Sequence, residues 1–163
     1  MKTLNKFYLL SKNILTGEKY YNYKTKSLIL NKMNSHFIFD TDQNIFFLKK
    51  ALKLTSDTIK NRNKILFYFP VLSYYSYNLN ILKKILKNNK NVYLTTDRWV
   101  TGSLSNYKVK KSHSINKLPS LVIIINNTVT ETLNILNEAS VLSIPAIVLV
   151  SSDFKFDLIT YPI

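Results

Sequence analysis

The residues best suited to chemistry lie in one stretch, Asp97-Arg98-Trp99-Val100-Thr101-Gly102-Ser103-Leu104-Ser105-Asn106-Tyr107-Lys108. It holds the only Trp, one of two Arg and one of two Gly in the 163-residue chain. Hydroxyl and amide groups crowd it, it carries a single carboxylate, and Lys110, Lys111 and His113 follow. Such a set donates hydrogen bonds and positive charge. It suits a surface loop touching a phosphate backbone better than a site that moves protons. Trp99 reads as an anchor into the core, with stacking on a base as the alternative. Upstream, Lys19, Lys24 and Lys26 interleave with Tyr20, Tyr21 and Tyr23. That pattern fits both an arm packed over the core and RNA contact by stacking and phosphate pairing.

Other chemistries are poorly provided for. With only Gly17 and Gly102 there is no G-x-G-x-x-G and no phosphate-cradling loop. No G-x-S-x-G elbow presents a nucleophilic serine. His36 and His113 are not at ligand spacing, and the absence of Cys removes thiolate ligands and disulfides. The most enzyme-like constellation is Asp40, Asp42 and Asp97 with Lys155, which resembles the acidic site and lysine of phospho-receiver domains. Carboxylates there would hold Mg²⁺ beside an acceptor Asp. Against it, Thr95 and Thr96 separate Asp97 from its strand, Asp42 is as easily a helix cap, and a charge of +14 is odd for a signalling module. A receiver-like or nucleotide-binding module is the alternative reading. No cofactor and no small-molecule substrate is expected.

The elements that must position these residues follow from hydrophobic period. Residues 1–35 read as an irregular, basic, Tyr-rich arm, and 36–163 as one domain. Apolar runs at His36–Phe39, Ile65–Phe69, Asn91–Thr95, Leu121–Ile125 and Pro145–Val150 predict five strands. Helical spacing predicts a helix after Thr41 or Asp42 with Ile45, Leu48, Leu52 and Ile59 inward. A second helix carries Tyr75, Leu79, Leu82 and Leu86, with Lys83, Lys84, Lys87 and Lys90 off that stripe. A third opens at the capping box Thr128-Val129-Thr130-Glu131 and turns Leu133, Leu136 and Ala139 inward. Strands alternating with helices predict a parallel sheet in a three-layer α/β/α domain.

The charge narrows the partner. Twenty-three basic residues against nine acidic ones give +14 and a pI near 9.8. Nucleic acid is the favoured polyanion. No apolar run approaches the roughly 18 residues of a membrane span, and no membrane partner is expected. Basic charge is carried by 21 Lys, and Asn (19) and Ile (17) are as abundant. These are amino acids of A/T-rich codons, which points to an organelle gene or an extremely A/T-rich cell. Met1-Lys2-Thr3-Leu4-Asn5-Lys6 has neither a secretory signal nor an imported-precursor pattern.

Arg98 to Tyr107 resembles the R-W-[LV]-G-G-[TS]-L-[TS]-N-[FY] signature of the universal small-subunit ribosomal protein S-two family. Leu118-Pro119-Ser120-Leu121-Val122-Ile123 is similar to that family's L-P-D-L-[LV]-[FI] strand. Glu138-Ala139 with Ile144 to Val150 resembles its E-A-x-x-L-x-I-P-V segment, and Asp157 to Ile163 its D-[LP]-V-[DT]-Y-P-I. His36-Phe37-Ile38-Phe39-Asp40 with Gln43 is more loosely similar to I-H-I-I-D-L-x-[KQ]-T. The resemblance runs from residue 36 to the end.

The resemblance implies a flavodoxin-like sheet of order 2-1-3-4-5. It implies a structural constituent of the small ribosomal subunit that binds rRNA near the head-body junction, with no catalytic role. The rRNA-contacting candidates are Arg98, Thr101, Ser103, Ser105, Asn106, Tyr107, Lys108, Lys110, Lys111, His113, Lys19, Lys24 and Lys26. Neighbouring ribosomal proteins are implied as partners. Three departures carry expectations. Thr101 stands where the family has Gly, and is strained if that position needs φ > 0. Residues 112–118 are too few for the family's helical hairpin. The sequence ends at Tyr161-Pro162-Ile163, where relatives continue into another helix, which predicts a bare sheet face that a neighbouring polypeptide completes. With the A/T bias, these features suggest a reduced, organelle-encoded member, mitochondrial, with a plastid gene as the alternative.

Overall fold

The computed structural model describes residues 17, 19–69, 76–86, 89–108, 115–125, 129–149, 152 and 158–163. A 3-10 turn, Tyr23–Leu28, leads into strands β1 (Ile29–Met33) and β2 (His36–Phe39). Helix α1 (Thr41–Lys60) follows, then β3 (Ile65–Tyr68), α2 (Ser76–Leu86) and β4 (Val92–Thr95). The chain closes with β5 (Leu121–Ile125), α3 (Val129–Val141), β6 (Ala146–Leu149) and β7 (Tyr161–Pro162).

The α/β class is as expected, with a five-stranded parallel sheet ordered β4-β3-β5-β6-β7. Counted from β3, this is the order 2-1-3-4-5. The strands filling it are shifted by one from the sequence reading. His36–Phe39 lies outside the sheet, paired antiparallel with Ile29–Met33 in a separate hairpin. Its two-residue turn, Asn34-Ser35, has φ of 47° and 70°. Two successive positive φ values give a turn whose twist matches the paired strands. The fifth place in the sheet is taken by Tyr161–Pro162.

Two apolar layers sandwich the sheet. On one face Ile65, Leu121 and Ile147 are buried against Ala51 of α1. On the other, Leu66, Tyr68, Val122, Ile124 and Val148 pack on Ile135, Leu136 and Ala139 of α3 and on Trp99 and Leu104. The expected bare face is covered in part: α1 lies over Ile65, Leu121 and Ile147, while Phe67, Ile123 and Ile125 on the same face are half-buried and Leu149 is exposed.

α1 turns only part of its predicted Leu and Ile stripe inward, with Ile45 and Leu48 half-buried. Leu52 and Ile59 are exposed, while Thr41, Ala51 and Thr58 are buried. Small residues let the helix approach the sheet closely. The hydroxyls of Thr55 and Thr58 are satisfied within the helix by the carbonyls of Ala51 and Leu54, at 2.8 and 2.7 Å. The N-cap is Asp40, one residue before the expected Thr41 or Asp42. Its Oδ1 accepts the Asp42 N–H at 2.9 Å.

Thr95, at the end of β4, is buried, and its Oγ1 has no hydrogen-bond partner among the described residues. Thr95→Val keeps the shape and removes the uncompensated hydroxyl. It is expected to raise stability by about 1 kcal/mol. A rise in the urea midpoint at unchanged m-value checks this.

Candidate functional site

The stretch after β4 does the work of a crossover element. It leaves the carboxyl end of the sheet and runs along α3 as a series of turns over residues 101–108. Ser103 N–H donates to the Val100 carbonyl at 3.1 Å, and Asn106 N–H to the Gly102 carbonyl at 2.9 Å. Gly102 supplies the left-handed conformation, with φ of 86°. Thr101 is not at positive φ, so the strain anticipated there does not arise.

The inner side of the loop closes on a carboxylate of α3. Glu138 Oε1 accepts the Gly102 N–H at 2.7 Å and the Trp99 indole N–H at 3.1 Å. Its Oε2 accepts the N–H groups of Leu104 at 2.8 Å and Ser105 at 3.3 Å. Four donors thus converge on one side chain. Near the carboxyl end of a helix the macrodipole disfavours a negative charge. The ring of donors offsets that cost and orients the loop.

A second carboxylate, Glu131, lies two helical turns earlier on the same face of α3. Its Oε2 accepts the Tyr68 hydroxyl at 2.6 Å, and its Oε1 lies 3.7 Å from Arg98 Nε. Tyr68 is fully buried and meets Trp99 edge to face, with centroids 5.7 Å apart. Burial, and secondarily the Glu131 carboxylate, push the Tyr68 phenol above its ordinary value. The Arg98 side chain is 91% exposed, so its pairing with Glu131 adds little stability and leaves the guanidinium open to a partner.

The loop therefore has two sides. Trp99 and Leu104 are buried in the core, as expected for Trp99. Ser103 is also fully buried, its hydroxyl donating to the Val100 carbonyl. It was expected to touch RNA and cannot, since no surface of it reaches solvent. Tyr107 is half-buried against the same core. Arg98, Thr101, Ser105, Asn106 and Lys108 are exposed. Lys19 and Lys26 are exposed in the N-terminal segment, whereas Lys110, Lys111, His113 and the side chain of Lys24 lie outside the described residues.

That segment is tied to Ser152, three residues past β6. Asn22 N–H and the Thr25 hydroxyl donate to the Ser152 carbonyl at 2.9 and 2.7 Å, and the Ser152 hydroxyl donates to the Tyr20 carbonyl at 2.8 Å. Gly17 fits beside Ser152 because a Cβ there would lie 2.8 Å from Ser152 Oγ.

The receiver-like alternative does not survive the topology. Asp40 and Asp42 follow β2, which is outside the parallel sheet, and Asp40 is spent as a helix cap. Lys155 lies outside the described residues. Among the described residues no cluster of three His, Asp or Glu could hold a metal ion.

A protein-family model, Ribosomal protein S2, matches residues 9–115, about two thirds of the chain. The chain belongs to that family. As a ribosomal protein S2 family member it has a structural role in the small ribosomal subunit, in a family whose members are in general not enzymes. The match takes in residues 9–35, which the motif resemblance leaves out, and stops before Leu118. No curated protein sequence matches the chain.

Sequence reasoning missed the two glutamates as site residues. Glu131 reads as part of a capping box and Glu138 as one letter of a motif. Their seven-residue separation, flanking the inward Ile135 and Leu136, is the signal that marks them as inward-facing.

Proposed function

We propose that this chain is an organelle-encoded, mitochondrial member of the family that binds small-subunit rRNA near the head-body junction and neighbouring ribosomal proteins. The observation that carries the rRNA reading is the two-sidedness of the signature loop. Its inner donors are consumed by Glu138, while Arg98, Thr101, Ser105, Asn106 and Lys108 project from a braced backbone. Lys110, Lys111 and His113 extend the basic run, and Lys19, Lys24 and Lys26 of the N-terminal segment supply further cations. A rigid loop of exposed donors holds a phosphate backbone with little ordering cost. The mitochondrial assignment rests on the A/T-biased composition.

Neutralising Lys108, Lys110 and Lys111 to Gln is expected to reduce the salt slope of binding to a small-subunit rRNA transcript by about 3. An unchanged slope would overturn the loop assignment. The tagged chain should sediment with the mitochondrial small subunit through high salt, and its absence there would refute the localisation.

A further inference from the structure

We propose that the turn closing α1, with the amino-terminal ends of β4 and β5, forms a second RNA-backbone contact centred on Arg62. This rests on the RNA-binding reading above but uses different residues.

α1 ends in a Schellman turn. Asn63 N–H donates to the Thr58 carbonyl at 3.1 Å and Arg62 N–H to the Ile59 carbonyl at 3.0 Å. The residue just past the cap must then be left-handed, and Arg62 has φ of 55°. Gly is preferred at such a position and Asn comes next, because other side chains crowd the backbone there. This chain has 19 Asn and only two Arg, and Asn61 and Asn63 flank the position. Arg nevertheless occupies the one place in the turn where its backbone is disfavoured. Its planar fork grips a phosphate in a way the abundant Lys does not.

The neighbours make the same case. Lys64, two residues on, donates its Nζ to the Lys90 carbonyl at 2.6 Å and lies 5.3 Å from the centre of the Tyr93 ring. The Tyr93 hydroxyl accepts the Lys117 N–H at 3.2 Å. These bonds gather Lys64, Lys90 and Lys117 at the end of the sheet where β3, β4 and β5 begin, and Arg62 stands in the turn two residues before Lys64. Lys60 joins them from the last turn of α1. Lys60, Arg62, Lys90 and Lys117 are exposed, and none has a carboxylate partner among the described residues. Asp57, one turn back on α1, is half-buried. A cluster of unpaired cations on one end of a domain is the footprint of a polyanion.

The test uses the full chain and a small-subunit rRNA transcript. Arg62→Asn relieves the backbone, so its melting temperature should rise by about 2 °C. Its rRNA affinity should fall several-fold. Stability and binding moving in opposite directions supports the proposal; unchanged affinity, or a fall in melting temperature, overturns it. Replacing Lys60, Lys90 and Lys117 together by Gln should lower the salt slope by about 3. Lys64 is left in place because its bonds hold the turn. Wild-type binding with an unchanged slope in the triple variant overturns this proposal alone. Failure of the wild-type chain to bind overturns the RNA-binding reading as well.

Discussion

Glu138→Ala is expected to lower the stability of the chain by about 3 kcal/mol, because four N–H donors lose their shared acceptor and each bond is to a charged group. The sum is well below four separate bonds, since Ser105 is exposed and water can replace part of the loss. For a domain of this length that is a fall of roughly 6–12 °C in melting temperature. Glu138→Gln should cost about half as much. Its oxygen still accepts two donors, but its NH₂ faces two N–H groups and cannot accept from them. Trp99 is the only Trp, so its emission reports the loop directly. Glu138→Ala should shift the emission to the red as the indole gains water. A melting temperature within a degree or two of wild type would show that the loop is held by its apolar contacts alone.

This changes what the loop's composition means. Read as a string, its hydroxyls and amides look uniformly suited to phosphate. In the fold, three backbone N–H groups of the loop and its indole N–H are turned inward onto a carboxylate of the chain itself, and the Ser103 hydroxyl is buried on the Val100 carbonyl. The string is silent on this because Glu138 lies more than thirty residues away. The strands beginning at Ile65, Val92, Leu121 and Ala146 were legible because parallel strands buried on both faces are continuous apolar runs. The hairpin was not legible. Asn34-Ser35 is a weak turn signal without Gly, and Ile29–Met33 is largely exposed, so it lacks the alternation of a half-buried strand. The final strand has two residues, too few for any period. The helical period of α1 is legible, but its most deeply buried positions are Thr41, Ala51 and Thr58, and Leu52 and Ile59 lie off them while Ile45 and Leu48 are half-buried. Periodicity assigns the inside to large apolar groups, and close approach to a sheet rewards small ones.

Trp99→Ala is expected to be the most damaging single change in the loop, at roughly 3–5 kcal/mol for a large buried aromatic. Three interactions are lost together: burial in the core, the edge-to-face contact with Tyr68, and the N–H bond to Glu138. Trp99→Phe separates them. It keeps most of the packing and the contact with Tyr68 but drops the donor, so about 1–2 kcal/mol should remain lost. Combined with Glu138→Ala, it should cost less than the sum of the two single changes, because both remove the same bond. Strict additivity would mean that the indole and the carboxylate are not coupled. The functional consequence differs in kind from that of the exposed cations. Trp99→Ala should lower the melting temperature and weaken rRNA binding together, since the phosphate-facing side chains lose their frame. Lys108→Gln should leave the melting temperature within a degree or two and lower only the salt slope, by about 1. If the two variants instead gave the same pattern, the division of the loop into a bracing side and a contacting side would be wrong.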